Sequence, residues 1–191
     1  VNSEIIVVSG LPRSGTSLMM QMLVSGGIEP VTDVIREADV DNPRGYYEFE
    51  RVKKIKEDSS WIPETRGKAV KMVSQLLYDL PTSEKYLVIF MERDLDEVLI
   101  SQEKMLLRLN RPAGDRDQMK RAFTKHLDRL RAWLATQSHL AVLYLRYSEL
   151  IANPEREAER VSAFLSGRVD VPAMATAVDP TLYRNRKASR Q

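Results

Sequence analysis

Residues 5–17 read Ile5-Ile6-Val7-Val8-Ser9-Gly10-Leu11-Pro12-Arg13-Ser14-Gly15-Thr16-Ser17, and this stretch decides the fold. Its first four residues are apolar and β-branched, the pattern of a strand buried on both faces of a parallel sheet. The run stops at Ser9-Gly10. Pro12 and Gly15 shape a tight loop, and the amphipathic segment Leu18 to Val24 follows at once. Strand, glycine-bearing loop and helix, in that order, aim backbone N–H groups at an anion. Arg13, Ser14, Thr16 and Ser17 add a cation and three hydroxyls to those donors. The stretch is expected to bind phosphate. A plain turn with incidental glycines is the competing reading, and the order of these residues disfavours it.

The pattern repeats outward from this unit. Ala69 to Val73, Tyr86 to Met91 and Leu140 to Tyr147 read as further strands. Between them, Leu95 to Leu109 and Arg116 to Thr136 carry apolar residues at helical spacing. Arg51 to Ser60 reads as a charged helical segment and Ser74 to Leu80 as a helical turn ended by Pro81. Ser25-Gly26-Gly27 closes the first helix, with glycine past the last turn. Asn153-Pro154 opens a last helix to about Leu165, asparagine as cap and proline at the first position. The tail, with Pro172, Pro180 and many basic residues, shows no clear pattern. Strands alternating with helices predict an α/β fold of three layers, a mostly parallel sheet with helices on both faces. Ligands of such sheets bind outside the carboxyl ends of the strands. Four distant stretches then share one rim: residues 10–17, the turn after Val73, Arg93 with the start of the next helix, and Tyr147.

The 191 residues suffice for one well-cored domain, expected to span 1–191. A net charge of +2 predicts no nucleic-acid partner. Basic residues cluster in Arg51 to Lys56, expected as a solvated face, and in Arg184 to Arg190. The absence of cysteine excludes disulfides, thiolate metal sites and cysteine nucleophiles, and fits a reducing, cytoplasmic compartment. Ile5 to Val8 is too short an apolar run for a signal peptide, and none approaches membrane-spanning length.

A second anion site is legible further on. Arg93 falls where the third strand stops, and Ser101 lies eight positions later on a helix. A planar guanidinium and a hydroxyl so placed can clamp a phosphate. Taken alone, Arg93 reads as a salt-bridged surface residue with Glu97 or Glu103 as partner.

The phosphate loop of nucleotide triphosphatases reads G-x-x-x-x-G-K-[ST]. Here Gly10 and Gly15 keep the spacing, but Thr16 stands where the lysine would, and the cation sits earlier at Arg13. Pro12-Arg13-Ser14-Gly15-Thr16-Ser17 instead resembles the 5′-phosphosulfate loop of sulfotransferases that use 3′-phosphoadenosine 5′-phosphosulfate (PAPS). Glu92-Arg93-Asp94-Leu95-Asp96-Glu97-Val98-Leu99-Ile100-Ser101 resembles their 3′-phosphate motif. Leu143 to Leu150 with Asn153-Pro154 is similar to the strand with a Tyr-Glu-Asp-Leu-type ending and the helix after it. Asp41 to Glu48 is similar to an acceptor-side segment of bacterial members. The resemblance spans roughly Ile5 to Leu165.

The resemblance implies a P-loop-like sulfotransferase fold and transfer of a sulfuryl group from PAPS, with adenosine 3′,5′-bisphosphate (PAP) as product and no metal. It assigns Pro12, Arg13, Ser14, Gly15, Thr16 and Ser17 to the 5′-phosphosulfate, Arg93 and Ser101 to the 3′-phosphate, and Tyr147 to the neighbourhood of the nucleotide. Lys71 is a second cation for the transferring group or, equally, a surface lysine. The acceptor is a hydroxyl or amine on a small molecule or saccharide, its identity open. Glu48 is the candidate base and Glu50 the next choice, with a surface ion pair to Arg44 or Arg51 as the alternative for Glu48. Cytosolic members carry a Lys-Thr-His-type segment with a histidine base; here it reads Lys71-Met72-Val73. His126 and His139 are expected to be structural or superficial. Arg184-Asn185-Arg186-Lys187 only loosely echoes the family's C-terminal nucleotide segment, and no dimer motif is visible. A kinase-like phosphotransferase using ATP and magnesium, with Glu92 as its nearest metal carboxylate, and a catalytically inactive nucleotide-binding protein are the competing functions.

Overall fold

The computed structural model describes residues 3–33 and 47–182. Among the described residues, four strands and six α-helices occur in the order β1 Ile5–Gly10, α1 Thr16–Ser25, β2 Ala69–Val73, β3 Tyr86–Glu92, α2 Leu95–Arg108, α3 Arg116–Leu134, β4 Leu140–Arg146, α4 Tyr147–Ala152, α5 Pro154–Phe164 and α6 Val171–Thr176. The sheet order is β2-β1-β3-β4. Every pairing is parallel. The register sets Gly10 opposite both Val73 of β2 and Met91 of β3. The phosphate loop therefore leaves the sheet between two strand ends, where a parallel sheet leaves room for ligand.

Burial of both faces explains the unbroken apolar run of β1, all of whose residues are buried. Strand alternation divides them. Ile6 and Val8 join one core cluster with Met19, Met20 and Leu23 of α1, Leu150 of α4, Val161 of α5 and Met174 of α6. Ile5 and Val7 join the other with Leu130 and Leu134 of α3, Trp61 and Ile62. This is the expected three-layer α/β arrangement. Among the described residues no helix is long and apolar enough to cross a membrane.

Several local expectations are corrected. The charged segment after Arg51 is a short 3-10 helix, Glu50–Lys54, and not a helix to Ser60. Val52 within it and Ile55 just past its end lie three apart and are both buried. That spacing stacks on one edge of a 3-10 turn. The basic residues around them are exposed, as expected of a solvated face. The turn after β2 is also 3-10, Ser74–Asp79. Tyr147 does not end a strand: it opens α4. Asn153 holds the cap position of α5, with Pro154 in the first turn, but its side chain makes no capping bond. The tail contains α6, capped by Asp170, whose carboxylate accepts from the Ala173 amide at 2.8 Å. Residues 184–187 lie outside the described residues.

Candidate active site

The loop is built on left-handed backbone. Gly10 has φ 154°, and a Cβ there would fall 2.4 Å from Ser14 Oγ and 2.6 Å from the Met91 carbonyl oxygen. Ser14 N donates to the Leu11 carbonyl at 3.2 Å, closing a tight turn over an exposed Pro12. Arg13 stands at φ 69°. A non-glycine residue in that region costs about 1–3 kcal/mol and persists only where its surroundings hold it. Two bonds hold it here: Arg93 Nη1 donates to the Arg13 carbonyl at 3.2 Å, and Arg13 Nε donates to Ser101 Oγ at 3.0 Å. Gly15, at φ 102°, caps α1, and a Cβ on it would strike the Tyr147 ring at 2.4 Å. The amides of Thr16 and Ser17 open α1, so they have no acceptor within the helix. Ser14 Oγ is buried and has no hydrogen-bond partner among the described residues. An orphaned hydroxyl in such a cradle costs stability that an anionic oxygen would recover.

The second candidate anion clamp is joined to the first. Arg93 comes directly after β3, and Asp94 caps α2 by accepting from the Asp96 amide at 2.9 Å. Arg93 is not on the surface: its side chain is 8% exposed and its partner Glu97 6%. Nε donates to Glu97 Oε2 at 3.0 Å, and the guanidinium carbon lies 4.5 Å from the centre of the Tyr147 ring. Glu103, the other partner considered, pairs with Arg116 instead. Ser101 is buried and receives Arg13. Sequence reading treats the two motifs as separate sites. In the fold, the cation of the first motif reaches the hydroxyl of the second, and the cation of the second braces the backbone of the first.

The acceptor side is set by β2 and the stretch that passes it. Lys71 is half-buried, with Nζ 3.3 Å from Ser17 Oγ, so it faces α1 and the loop. Pro30 bridges Ala69 in parallel sense, and Val31 N donates to the Ala69 carbonyl at 2.8 Å. The Glu48 carbonyl accepts from Thr32 Oγ1 at 3.0 Å and from Asp33 N at 3.2 Å. Glu48 therefore lies beside the outer edge of β2, half-buried. Arg51, its alternative partner, pairs with Asp58. Glu50 is not on a strand with Glu48: it opens a 3-10 helix and pairs with Lys53 at 2.5 Å. Phe49, partly buried, packs edge-on against Trp61 at 5.2 Å and so lies against the core. Residues 41–46, including Arg44 and Tyr46, lie outside the described residues.

The sequence matches the family model of the sulfotransferase domain over residues 3–190. The chain belongs to the sulfotransferase family. Solved structures agree in fold. The sulfotransferase of Alicyclobacillus acidocaldarius superposes with TM-score 0.53 at 16% identity, over 90% of this chain and 83% of that one. Mouse sulfotransferase SULT7A1, complexed with PAP, gives 0.55 at 16%, over 99% and 68%. The sulfotransferase domain from the curacin biosynthetic pathway gives 0.53 at 14%, over 98% and 93%. Among curated proteins none matches significantly.

Sequence reading of this sulfotransferase offers Glu97 as a partner of Arg93 but places the pair on the surface, whereas it is buried. His126 escapes sequence reading: it arrives from α3 with Nε2 2.8 Å from Ser74 Oγ, just past the end of β2. His139 is buried at the opposite end of the sheet, before β4. Burial lowers both pKa values below 6.5, helped at His139 by the nearby Lys85 charge. The folded chain thus resists protonation that the unfolded chain accepts near its ordinary pKa. Their contribution to stability is complete above that pKa and is lost as pH falls through it. Urea unfolding should show a lower midpoint at about pH 5.5 than at about pH 7.5, with a smaller difference in the His126→Gln/His139→Gln double variant.

Proposed function

We propose that this sulfotransferase, acting as a single unit over residues 1–191, moves a sulfuryl group from PAPS to a hydroxyl or amine of a small-molecule or saccharide acceptor. The observation that carries this reading is the cross-bonded pair of cationic clamps on one rim, Arg13 to Ser101 and Arg93 to the Arg13 carbonyl. Two clamps suit a nucleotide with two separate phosphate groups better than one with a single polyphosphate chain. Family membership supports sulfuryl transfer, and the related mouse protein is known in complex with PAP. Glu92, the carboxylate nearest to serving a metal in an ATP-using alternative, is instead paired with Arg131.

In this reading the Thr16 and Ser17 amides, with the orphaned Ser14 hydroxyl, receive the 5′-phosphate. Arg93 and Ser101 take the 3′-phosphate, and Tyr147 supports both clamps from beneath. The acceptor oxygen or nitrogen attacks sulfur, and the bond from sulfur to the bridging phosphate oxygen breaks. Charge gathers on that oxygen, where Arg13 and Lys71 are placed to meet it. Positioned cations act strongly there because they need no reorganisation during the reaction. The acceptor proton passes to Glu48.

The reading is tested by incubating the protein with PAPS and a panel of phenols, alkanols and amino sugars, and monitoring PAP and sulfated product. Transfer to at least one acceptor above the background of release to water is expected. Production of neither PAP nor product from PAPS would overturn it. The role of Glu48 has its own test. Glu48→Gln should lower transfer by roughly 10²-fold or more, the scale for losing a general base, and should flatten the acidic limb of the pH–rate profile. A variant that keeps both would remove Glu48 from the mechanism.

A further inference from the structure

We infer that His126 is a positioning residue: from α3 it tethers the carboxyl end of β2, and so holds Lys71 at the rim of the nucleotide site. The inference rests on the role given to Lys71 above. β2 is an edge strand of the sheet. Its outer edge is met by the Pro30 bridge at Ala69, which is the strand's amino end. At the other end the chain leaves the sheet after Val73, opposite Gly10 of the phosphate loop, and enters the 3-10 helix Ser74–Asp79 without a side-chain cap.

The tether acts at this corner. Ser74 is fully buried, and its hydroxyl lies 2.8 Å from His126 Nε2, against a longer 3.4 Å to Gln75 Oε1. The support behind His126 is firm. Leu130 and Leu134 of the same helix are buried in the core on that face. Two turns along α3 from His126, Trp133 packs against Tyr78 of the 3-10 helix at 4.7 Å. Met72 points into that core too, so alternation turns Lys71 and Val73 to the opposite face. There Lys71 meets Ser17 of α1 at 3.3 Å. The end of the edge strand is thereby gripped from both layers: by α3 through Ser74, and by α1 through Lys71. Slack in the first grip would let the Lys71 ammonium move off the bond that breaks.

Two measurements on the full chain test this. Amide hydrogen exchange reads the tether without any activity. In His126→Ala the amides of Lys71 to Val73 should exchange faster while those of Val88 and Ile89 keep their protection. Transfer from PAPS reads the positioning. It should fall by roughly 10²-fold or less, the scale for misplacing a reacting group by about an ångström, with PAP affinity little changed. His126→Gln, which keeps a polar group near the Nε2 position, should recover much of the rate. In a Lys71→Ala background the same change should cost almost nothing further, because both act through one ammonium. If burying an orphaned serine prevents His126→Ala from folding, the Ser74→Ala/His126→Ala double variant removes both partners and carries the same expectations. Unchanged exchange in β2 would overturn the tether. Faster exchange with undiminished transfer, or full additivity with Lys71→Ala, would overturn the positioning role. A wild-type chain that transfers nothing from PAPS would overturn the proposed reaction and this role together, while exchange would still judge the tether.

Discussion

Arg13→Ala is expected to lower sulfuryl transfer by roughly 10²–10³-fold, the usual cost of removing one preorganised donor from a site of developing charge. The loss should exceed the loss of PAP affinity. In the proposed reading Thr16, Ser17 and Ser14 still hold the 5′-phosphate, whereas the bridging oxygen loses one of its two cations. Folding should be little affected. Alanine at φ 69° is strained much as arginine is, and the brace from Arg93 reaches the backbone carbonyl, which remains. Arg13→Lys should recover part of the rate, because the charge returns while the bond made through Nε to Ser101 does not. Single-turnover rates from PAPS, beside calorimetric PAP affinities, separate the two effects. Normal turnover with weakened nucleotide binding would make Arg13 a binding residue alone.

The second large effect concerns Arg93. Arg93→Ala breaks a buried ion pair with Glu97 by removing one partner, a change that typically costs about 3–5 kcal/mol of stability. Arg93→Lys is the cleaner variant, since it keeps the charge beside Glu97 and loses the planar fork. PAP affinity should then fall about tenfold to a hundredfold, the range for losing a hydrogen bond to a charged group. Affinity for AMP, which lacks the 3′-phosphate, should fall as well but by much less. Some loss is expected because Arg93 also braces the carbonyl of Arg13. Titrations with PAP and AMP on the same preparations decide this. Equal losses would make Arg93 a brace for the loop and not a reader of the 3′-phosphate.

A feature is legible in the sequence when its cause is local. The Ile5–Val8 run is found in β1 as expected, because a strand buried on both faces of a parallel sheet is a continuous apolar run. α4 and α6 escape because each has six residues, too few for a period to show. Pro172 reads as a breaker, yet it sits in the first turn of α6, where proline costs nothing. Gly10 and Gly15 are legible as loop glycines because only glycine fits against Ser14, the Met91 carbonyl and the Tyr147 ring. The cross-bonding of Arg13, Ser101 and Arg93 is not legible. It depends on a left-handed Arg13 and on the pairing of β1 with β3, neither of which leaves a local signal. His126 escapes for a similar reason: it reaches the rim from a helix 52 positions away from the serine it meets.

The central claim is that this rim is built for two separate phosphates. Calorimetric titration of the wild-type chain with PAP, and in parallel with ATP plus magnesium, tests it most directly. Clear saturable binding of PAP and much weaker binding of ATP with magnesium are expected. ATP with magnesium binding as tightly as PAP, or more tightly, would contradict it.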